Sequence, residues 1–572
     1  MYLRTTKRKN KDGTVVAYYQ LAHNERHPRT KKPIARIIHR FGRADKIDRS
    51  ELVRLCQSIA RVCGLEIYDP LGGNGEESFV NDKVGFPKDV KLIQTVTLGT
   101  VAVVEALWER LGIGKVLRDT AGRKKRSKVS YERALFAMTA NRLCEPESKL
   151  GVWDRWLSKV YLPSCENLKL DHMYEAMDFL HDHIDKVEES IFFKTANLFN
   201  LEVDLVFYDT TTASFSIDYE DEDSEEADEE VLRKRGKAKE GGWAPQVVVA
   251  LAVTRDGLPV RSWVFPGNTA DVTTVEQIKS DLRGWNLGRA LFVADSGMNS
   301  IKNREELSRA CGKYLLATRM ASVSEIKKEV LSKRGRYRVI KDNLQAKEVI
   351  VGDGERRRRY ILCHNPKEAK RQQLHRKTIV EQLEKELAKH PDKKATAQWA
   401  IELLASKRYK RYLTITAKDK IRIDRAAIKE AKRYDGKWVL ETNDDTISVE
   451  DAAKGYKGLM VIERCFRSLK RTQIKMAPMY HWATRRIETH VKICVLALLI
   501  ERVAELACAK PWSHIWQSVE KLQTSEFHTP DHVFYKLNEV DNQVREVFKK
   551  LKIPLPVSVL GISPLPERAS KQ

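Results

Sequence analysis

Basic and β-forming residues alternate at the start of the chain. They do so over residues 1 to about 45, with a KDG turn at 11–13 between two such runs. This pattern predicts short strands joined by turns, and therefore a small basic sheet. Apolar residues then recur at helical spacing over 47–64, which predicts a helix, and LGGNGEES at 71–78 is typical of a linker.

The next change of pattern separates a helical region from a region of strands. Apolar spacing is helical from about 95 to 200, and no strong strand is expected before 201–215. From there the chain has β-forming runs, VDLVFYD, QVVVALAV, VRSWVF and RALFVAD, followed by the helical segment SIKNREELSRACG. Consecutive strands followed by a helix are typical of an α/β domain.

Strand-like and helix-like patterns alternate again in the second half. Residues 320–445 contain several short β-forming runs and one long charged helix, so we expect an inserted, mostly β module there. Helical spacing returns over 448–508, where SVED is a capping-box pattern and ICVLALLI lies in a buried helix. The remaining residues predict one more helix, PWSHIWQSVEKL, and a Pro-rich coil.

Charge narrows the choice of partner. The chain has 103 Lys and Arg against 79 Asp and Glu, a net charge of +24 in 572 residues. Such an excess favours a polyanionic partner, nucleic acid before an anionic membrane, although a basic soluble protein without such a partner stays open. The longest apolar run has eight residues, 493–500, too few to span a bilayer. We expect no membrane association.

The cysteines and the N-terminus predict a location. Nine cysteines are scattered without a CxxC pair, which argues against a disulfide framework and for a reducing cytoplasm. The N-terminal MYLRTTKRKNKDG lacks the apolar core of a secretory signal. We therefore expect a cytoplasmic protein.

Two segments of like charge follow the first predicted strand of the α/β region. Residues 218–230 are acidic and 233–240 are basic, so a long solvated hairpin loop is expected, with autoinhibitory mimicry of DNA as an alternative. A third run, RRRR at 356–359, is a better candidate for phosphate contact through Arg356 and Arg357.

Three carboxylates stand beside apolar runs. Asp209 and Asp295 each end a β-forming run, so both are expected where a strand leaves the core. Glu463 shares a helical stripe with apolar residues and is expected to be partly buried, which is costly without a partner or a metal. Three converging carboxylates would suit Mg²⁺ or Mn²⁺. The alternative is two unrelated turn aspartates and a salt-bridged glutamate.

Four stretches of the chain resemble a known family. They are FYDTTTASF, QVVVALAVTRDGLPVRSWVFPGNTAD, FVADSGMNS and YKGLMVIERCFRSLK, in this order along the chain. Together they resemble bacterial insertion-sequence transposases of the DDE type, in the group whose RNase H-like catalytic fold is split by a β-rich insertion. The resemblance is strong over 200–500 and looser in the N-terminal basic sheet.

The fourth stretch resembles the Tyr-Arg-Glu-Lys signature of that group. Tyr456, Glu463 and Lys470 fall at its spacing, whereas Leu459 stands where the signature has arginine. Arg464 or Arg467 could supply the missing basic contact with DNA.

The resemblance implies roles for these residues. Asp209, Asp295 and Glu463 would hold the metals, two Mg²⁺ or Mn²⁺ ions of the kind that carry two-metal phosphoryl transfer. Tyr456 and Lys470 would contact phosphates near the cleaved transposon end. In related transposases an aromatic of the insertion stacks on a base extruded near that end. Trp438 is the candidate here, although a tryptophan on a strand is often a core residue.

The implied fold class is α/β. An RNase H-like catalytic core is interrupted by a mostly β insertion, and a basic N-terminal sheet module and a helical region precede the core. The predicted parts are a DNA-end-binding module at 1–85, a helical domain at 90–200, the catalytic domain at 201–320 and 446–510, the insertion at 321–445 and a helical tail at 511–572.

The predicted function is that of a DNA transposase. It would bind double-stranded DNA at terminal inverted repeats, hydrolyse a phosphodiester to free a 3′-OH, and join that end to target DNA. Paired-end reactions favour a homodimer, and the resemblance implies a bacterial protein that associates with the nucleoid in the cytoplasm. The alternatives are another RNase H-fold nuclease or resolvase, and a DNA-binding regulator derived from a transposase. The intact set of three carboxylates counts against the regulator.

Overall fold

Strand pairing at the N-terminus follows the alternation in the sequence. The computed structural model describes residues 2–9, 15–26, 33–44, 59, 90–122, 130–217, 219–221, 231–390 and 392–564. The chain divides into two compact units, Met1–Lys88 and Asp89–Gln572. Apart from Ile59, the helix predicted at 47–64 lies outside the described residues, as do the linker at 71–78 and most of the acidic run at 218–230.

The strands are numbered in chain order. They are β1 (Tyr2–Lys9), β2 (Val15–Arg26), β3 (Pro33–Arg43), β4 (Lys91–Thr97), β5 (Leu205–Ser214), β6 (Lys234–Lys237), β7 (Trp243–Val253), β8 (Pro259–Pro266), β9 (Leu291–Ala294), β10 (Lys313–Thr318), β11 (Arg338–Lys341), β12 (Leu344–Val351), β13 (Arg358–His364), β14 (Leu413–Ile415), β15 (Ile421–Ile423), β16 (Lys437–Thr442), β17 (Gln523–His528), β18 (His532–Leu537) and β19 (Val559–Pro564).

The α-helices of eight or more residues are numbered in the same way. They are α1 (Gly99–Arg110), α2 (Ile113–Ala121), α3 (Tyr131–Cys144), α4 (Leu170–Asp182), α5 (Ile184–Phe199), α6 (Val275–Gly284), α7 (Ile301–Ser308), α8 (Pro366–Ala388), α9 (Gln398–Ala405), α10 (Arg425–Lys432), α11 (Val449–Lys457), α12 (Met460–Arg467), α13 (Thr484–Cys508), α14 (Trp512–Val519) and α15 (Asn542–Leu551).

The first unit contains the small sheet that the alternation predicted. Strands β1, β2 and β3 pair antiparallel in that order. Basic side chains of β1 are exposed, including Arg4, Lys7 and Arg8, and Arg40 of β3 is exposed as well. The described part of this unit therefore presents a basic surface.

The second unit is built on a mixed sheet whose order identifies its class. The five strands β5, β7, β8, β9 and β10 lie in the spatial order β8-β7-β5-β9-β10. Strand β7 is antiparallel to β5 and β8, whereas β9 is parallel to both β5 and β10. If these five strands are counted one to five in chain order, their spatial order is 3-2-1-4-5. This order, with these strand directions, is that of an RNase H-like sheet. The predicted α/β catalytic core is confirmed.

Both faces of this sheet are buried, which explains why its strands read as continuous apolar runs. Phe207 of β5 packs into the larger core, on the side of helix α13. Its neighbours Val206 and Tyr208 point to the opposite face, into a second core with α6 residues such as Ile278. Helix α13 is buried along most of its length, as the run ICVLALLI predicted.

The predicted insertion continues this sheet. Strand β16 pairs antiparallel with β10, and β13, β12 and β11 follow in order, so four of its strands extend the catalytic sheet. The long charged helix predicted in this segment is α8. It packs with α9, α10 and the two-stranded sheet β14-β15 around a separate small core.

The C-terminal region differs from the prediction of a helical tail ending in coil. Helices α14 and α15 are present, but strands β17, β18 and β19 also occur and form a four-stranded sheet with β4. Strand β4 likewise precedes the helical region, where no strand was expected. Pairing between β4 and β17 joins segments more than 400 residues apart, such as Thr95 and Ser525, which local patterns cannot reveal.

None of the helices described here combines the length and the apolar character needed to cross a lipid bilayer.

Candidate active site

Two of the three predicted carboxylates lie side by side on adjacent parallel strands. The register pairs Phe207 of β5 with Val293 of β9, so two residues further along Asp209 lies level with Asp295. Asp295 directly follows β9, as predicted. The prediction of a strand end was wrong for Asp209, because β5 continues to Ser214 through its pairing with β7.

Helices α11 and α12 bring the Tyr456–Glu463 segment to the same carboxylates. Tyr456 is the penultimate residue of α11, and its hydroxyl donates a hydrogen bond to Asp295 Oδ1 at 3.0 Å. Burial raises the pKa of the Tyr456 phenol well above its usual value, and the charges of Asp295, Glu463 and Asp209 raise it further. The phenol is therefore a hydrogen-bond donor throughout the physiological pH range.

Glu463 itself is exposed, so the prediction of partial burial was wrong. It lies on α12, whose apolar residues Ile462 and Phe466 are buried while Glu463 faces solvent. Helix α12 packs against β5 and β7. The Glu463 charge contributes to the raised pKa of Tyr456, so Glu463 lies near that phenol.

A lysine that sequence reasoning missed contacts this site. Lys239, in the turn between β6 and β7, lies with its Nζ 3.9 Å from Asp209 Oδ1 and 3.2 Å from Asp271 Oδ2. It also donates to the backbone oxygen and to the hydroxyl of Thr210, each at 2.6 Å. The Thr210 hydroxyl in turn donates to Asp271 Oδ1 at 2.6 Å. Lys239 and Asp271 are thus neighbours of the carboxylate pair.

The charges of this cluster act on Asp209. Its pKa is raised to about 6, chiefly by burial and also by the charges of Asp271 and Asp295. Lys239 and the Thr210 N–H, which donates to Asp209 Oδ1 at 2.8 Å, oppose that rise. The Asp209 side chain is still 28% exposed. A cation from solvent can therefore reach the Asp209 carboxylate, and its charge would stabilise the ionised form of that carboxylate.

The donor set fits a hard divalent cation in its chemistry. Carboxylate oxygens from two neighbouring strands and from the facing helix are the ligands that Mg²⁺ and Mn²⁺ prefer. Nevertheless, across the described residues no three His, Cys, Asp or Glu side chains are close enough together to hold a metal ion. The Lys239 ammonium supplies the positive charge beside Asp209 and Asp271 in this arrangement.

Basic residues of the 456–471 segment lie around this cluster. Lys470 forms an ion pair with Glu240 at 3.0 Å and donates to the Thr211 hydroxyl at 3.3 Å. Arg471 pairs with the same Glu240 oxygen, also at 3.0 Å. Thr211 lies two residues after Asp209 on β5, so Lys470 reaches the catalytic strand. The predicted Arg464 and Arg467 are both exposed on α12.

The other predicted DNA-binding residues belong to the insertion strands. Trp438 lies on β16 opposite Cys363, half-buried and packed against the main core. Arg356 is exposed in the turn before β13. Arg357 is exposed as well and pairs with Asp445 at 2.8 Å.

Two family models match the chain. Residues 220–500 match the model described as "Transposase DDE domain". Residues 3–67 match "IS1634 family transposase, N-terminal domain". The first match begins after Asp209, so that residue is assigned to the site by its register with Asp295. No curated protein matches the chain.

One solved structure that the chain matches is the cryo-EM structure of a piggyBac transposase synaptic complex with hairpin DNA. The sequence identity is 9% and the TM-score 0.32, over 80% of this chain and 82% of that one. At that score the assignment of the fold rests on the strand order of the sheet. The two family matches, together with the carboxylate pair on an RNase H-like sheet, show that the chain belongs to the DDE transposases of insertion sequences.

Proposed function

We propose that this transposase cuts the ends of its insertion sequence and joins them to target DNA by metal-dependent phosphoryl transfer. The observation that carries the proposal is the placement of Asp209 level with Asp295, with Tyr456 bonded to Asp295. DDE transposases use divalent metal ions, and a carboxylate pair on adjacent strands is the donor set such ions require.

The ligands in this proposal are Asp209, Asp295 and Glu463, and the ions are two Mg²⁺ or Mn²⁺. When bound, such ions would activate the attacking oxygen and stabilise the leaving oxygen of a phosphodiester. Glu463 would complete the site by a rotation of its exposed side chain toward the aspartates. Tyr456 holds the Asp295 carboxylate in one orientation through its hydrogen bond.

Basic side chains beside the carboxylates would hold the DNA strand. Lys470 and Arg471 share Glu240 as a partner, and both could exchange that carboxylate for a phosphate. Tyr456 and Lys470 stand at the spacing of the Tyr-Arg-Glu-Lys signature, and the exposed Arg464 and Arg467 are available where Leu459 replaces its arginine. The insertion would add Arg356 and Arg357 for phosphates and Trp438 for stacking on an extruded base.

The N-terminal unit would recognise the transposon ends. Its sheet exposes Arg4, Lys7, Arg8 and Arg40, a surface suited to DNA phosphates. Deleting residues 1–88 should weaken binding to terminal inverted repeats and flatten the salt dependence of that binding. Unchanged affinity and an unchanged salt slope would contradict this role. We also propose that the enzyme acts as a homodimer, because two ends must be processed together.

A cleavage and joining assay tests the proposed reaction. DNA that carries one end of the element is incubated with the protein in Mg²⁺ and in EDTA, with a second labelled duplex as target. A transposase should nick the end in Mg²⁺ alone and join the freed 3′-OH to the target. A nuclease or resolvase of the same fold would cut without joining, and a DNA-binding regulator would do neither.

A further inference from the structure

A second polar site lies outside the carboxylate cluster. A cavity of about 510 Å³ is bounded by the end of α3, the 146–150 turn, α4, the 475–481 loop and α13. Tyr480 on its wall is exposed, so the cavity opens to solvent. Four of its lining residues are Lys or Arg, namely Arg142, Lys149, Arg155 and Lys475, whereas one carboxylate, Glu147, lines it.

The most deeply placed of these cations is Lys149. It is 3% exposed, and its Nζ lies 3.2 Å from His490 Nδ1. Because His490 Nε2 donates to the Met476 carbonyl at 2.9 Å, the Nδ1 atom accepts a hydrogen from Lys149. No Asp or Glu among the described residues forms an ion pair with Lys149, and none contributes to its pKa. A buried ammonium without a counter-charge is expensive, which argues that an anion visits this cavity.

Arg142 adds to the unbalanced charge. It is 4% exposed and donates to backbone carbonyls, those of Glu147 and Lys475 among them, while its Nε is buried without a hydrogen-bond partner. The Glu147 carboxylate that lines the cavity is itself bound by Arg155 at 2.5 Å. Glu147 therefore acts on both Arg155 and Arg142, and the cavity wall keeps an excess of positive charge.

The surrounding electrostatics agree with this description. Burial and the nearby Arg142 lower the pKa of Lys149 to about 7. Burial, with Lys149 and Arg142, lowers the pKa of His490 well below its usual value. An anion in the cavity would reverse both effects, since it favours the charged form of each group.

The cavity lies on a loop that is continuous with the catalytic helices. The segment Ser468–Thr472 carries Lys470 beside the catalytic strand, and the cavity wall begins a few residues later at Lys475. Met479 of the same loop bridges to Phe215, the residue that follows β5. A DNA strand that runs from the carboxylates along this loop would therefore pass the opening of the cavity.

We propose that this cavity binds a phosphate group of a DNA strand held by the enzyme. A phosphate offers several acceptor oxygens, which suits the donors Lys149, Arg155 and Lys475 around one cavity. The assignment to DNA rests on the proposed function, whereas the anion site itself does not. Free inorganic phosphate has the same chemistry and is the alternative source.

Inorganic phosphate and Lys149→Met test the anion site. Phosphate should raise the Tm of the wild-type protein in a concentration-dependent way. Lys149→Met should weaken that binding by about tenfold to a hundredfold, because a charge-assisted hydrogen bond is lost. Lys279→Met is the matched control. Lys279 is also buried, but it lies on α6 and donates to the Gly288 carbonyl at 2.6 Å. It should leave phosphate binding unchanged.

Stability separates a binding defect from a folding defect. Lys149→Met removes a buried amine that has no ion-pair partner among the described residues, so its Tm without phosphate should equal or exceed that of the wild type. If it fails to fold, Arg155→Gln serves instead, because Arg155 is 54% exposed and should weaken phosphate binding without loss of structure. Phosphate binding that is unchanged in the folded variants would overturn the anion site.

A methylphosphonate scan of an end duplex tests the DNA assignment by binding alone, without cleavage. Replacing the phosphate that occupies the cavity by a neutral group should weaken wild-type binding by about tenfold. The same replacement should have no effect on Lys149→Met. If phosphate stabilises the wild type but no position on the DNA couples to Lys149, the cavity holds a free anion and the DNA assignment is wrong. If one DNA phosphate couples to Lys149 but the wild-type protein does not cleave end DNA, the DNA assignment stands and the proposed reaction is wrong.

Discussion

The Tyr456 hydroxyl donates a hydrogen bond to Asp295 Oδ1 at 3.0 Å and joins helix α11 to the carboxyl end of strand β9. This contact ties a residue of the 456–470 segment to a carboxylate 161 residues earlier in the chain. It fixes the orientation of the carboxylate, because a charged acceptor holds a neutral donor strongly.

Tyr456→Phe should therefore lower strand cleavage by about tenfold and raise the Mg²⁺ concentration needed for half-maximal rate. The ring stays in place, so only the hydrogen bond to Asp295 is lost. The measurement is a Mg²⁺ titration of the cleavage rate. Tyr409→Phe is the control, because its hydroxyl contacts Gln382 in the insertion at 3.4 Å. An unchanged Mg²⁺ requirement would show that the hydrogen bond has no positioning role.

Asp209→Asn, Asp295→Asn and Glu463→Gln should each reduce strand cleavage by about a thousandfold or more. Each change is nearly isosteric but removes the negative charge that a hard cation requires. DNA binding by these variants should stay close to that of the wild type in a gel-shift assay. The control is Glu450→Gln, an exposed carboxylate on α11 that pairs with Lys454. Any of the three that keeps near-normal cleavage is not a metal ligand.

Lys239→Met should increase the affinity of the site for Mn²⁺ several-fold, as measured by calorimetric titration. The Lys239 ammonium lies beside Asp209 and Asp271, and a cation that enters there meets its repulsion. Because Lys239 is partly exposed, water screens this effect and it stays moderate. Lys237→Met changes an exposed lysine of the same hairpin and should leave the affinity unaltered. Weaker binding of Mn²⁺ by Lys239→Met would mean that the lysine organises the site.

Glu501→Gln should stabilise the protein at pH 8 by on the order of 1–3 kcal/mol and much less at pH 5. Glu501 is buried on α13, accepts a hydrogen bond from Ser468, and has its pKa raised to about 7 by burial. The folded protein thus binds more protons than the unfolded chain between about pH 4.5 and 7, so stability falls as the pH rises through that window.

The check on Glu501 is the Tm of both proteins at pH 5 and pH 8. The Tm difference should grow with pH. Glu539→Gln, at an exposed position, should show no such growth. A constant difference between wild type and Glu501→Gln would mean that Glu501 stays ionised in the folded protein.

The catalytic sheet could be predicted from the sequence because its strands are buried on both faces. VDLVFYD and RALFVAD therefore stand out as apolar runs, and Asp295 could be placed at the end of β9. The C-terminal strands could not be predicted, because the six-residue segments QTSEFH and HVFYKL show no regular alternation of polar and apolar residues, and β17 pairs with the distant β4.

The sequence predicted Asp209, Asp295 and Tyr456, which the structure brings together, but it did not predict the neighbouring Lys239. Lys239 lies in a run of charges whose pattern indicates only a solvated loop, yet the hairpin β6-β7 turns it toward Asp209. Asp271 lies in a stretch singled out by the resemblance, but its contact with Thr210 joins residues 61 positions apart, which local patterns do not reveal. Glu463 was placed in an apolar helical stripe, yet it is exposed. The spacing of apolar residues does not show which edge of the stripe faces solvent.

Trp438 provides the last prediction, because its surroundings allow packing and stacking to be separated. It is half-buried on β16 against the main core, and its indole Nε1 is buried without a hydrogen-bond partner. Trp438→Ala would leave a gap in that packing and should lower the Tm, so it cannot isolate a role in DNA binding. Trp438→Leu keeps an apolar side chain but removes the aromatic face.

We expect Trp438→Leu to fold, to bind transposon ends nearly normally and to make the first nick, yet to lose second-strand processing. Without the aromatic ring, a base extruded near the cleaved end would lose about 1–3 kcal/mol of stacking free energy. With 2-aminopurine at the terminal base, the wild type should show a rise in fluorescence that this variant lacks, whereas Trp438→Phe should retain most of it. If Trp438→Leu processes both strands and keeps the fluorescence rise, Trp438 is a packing residue and another side chain must receive the base.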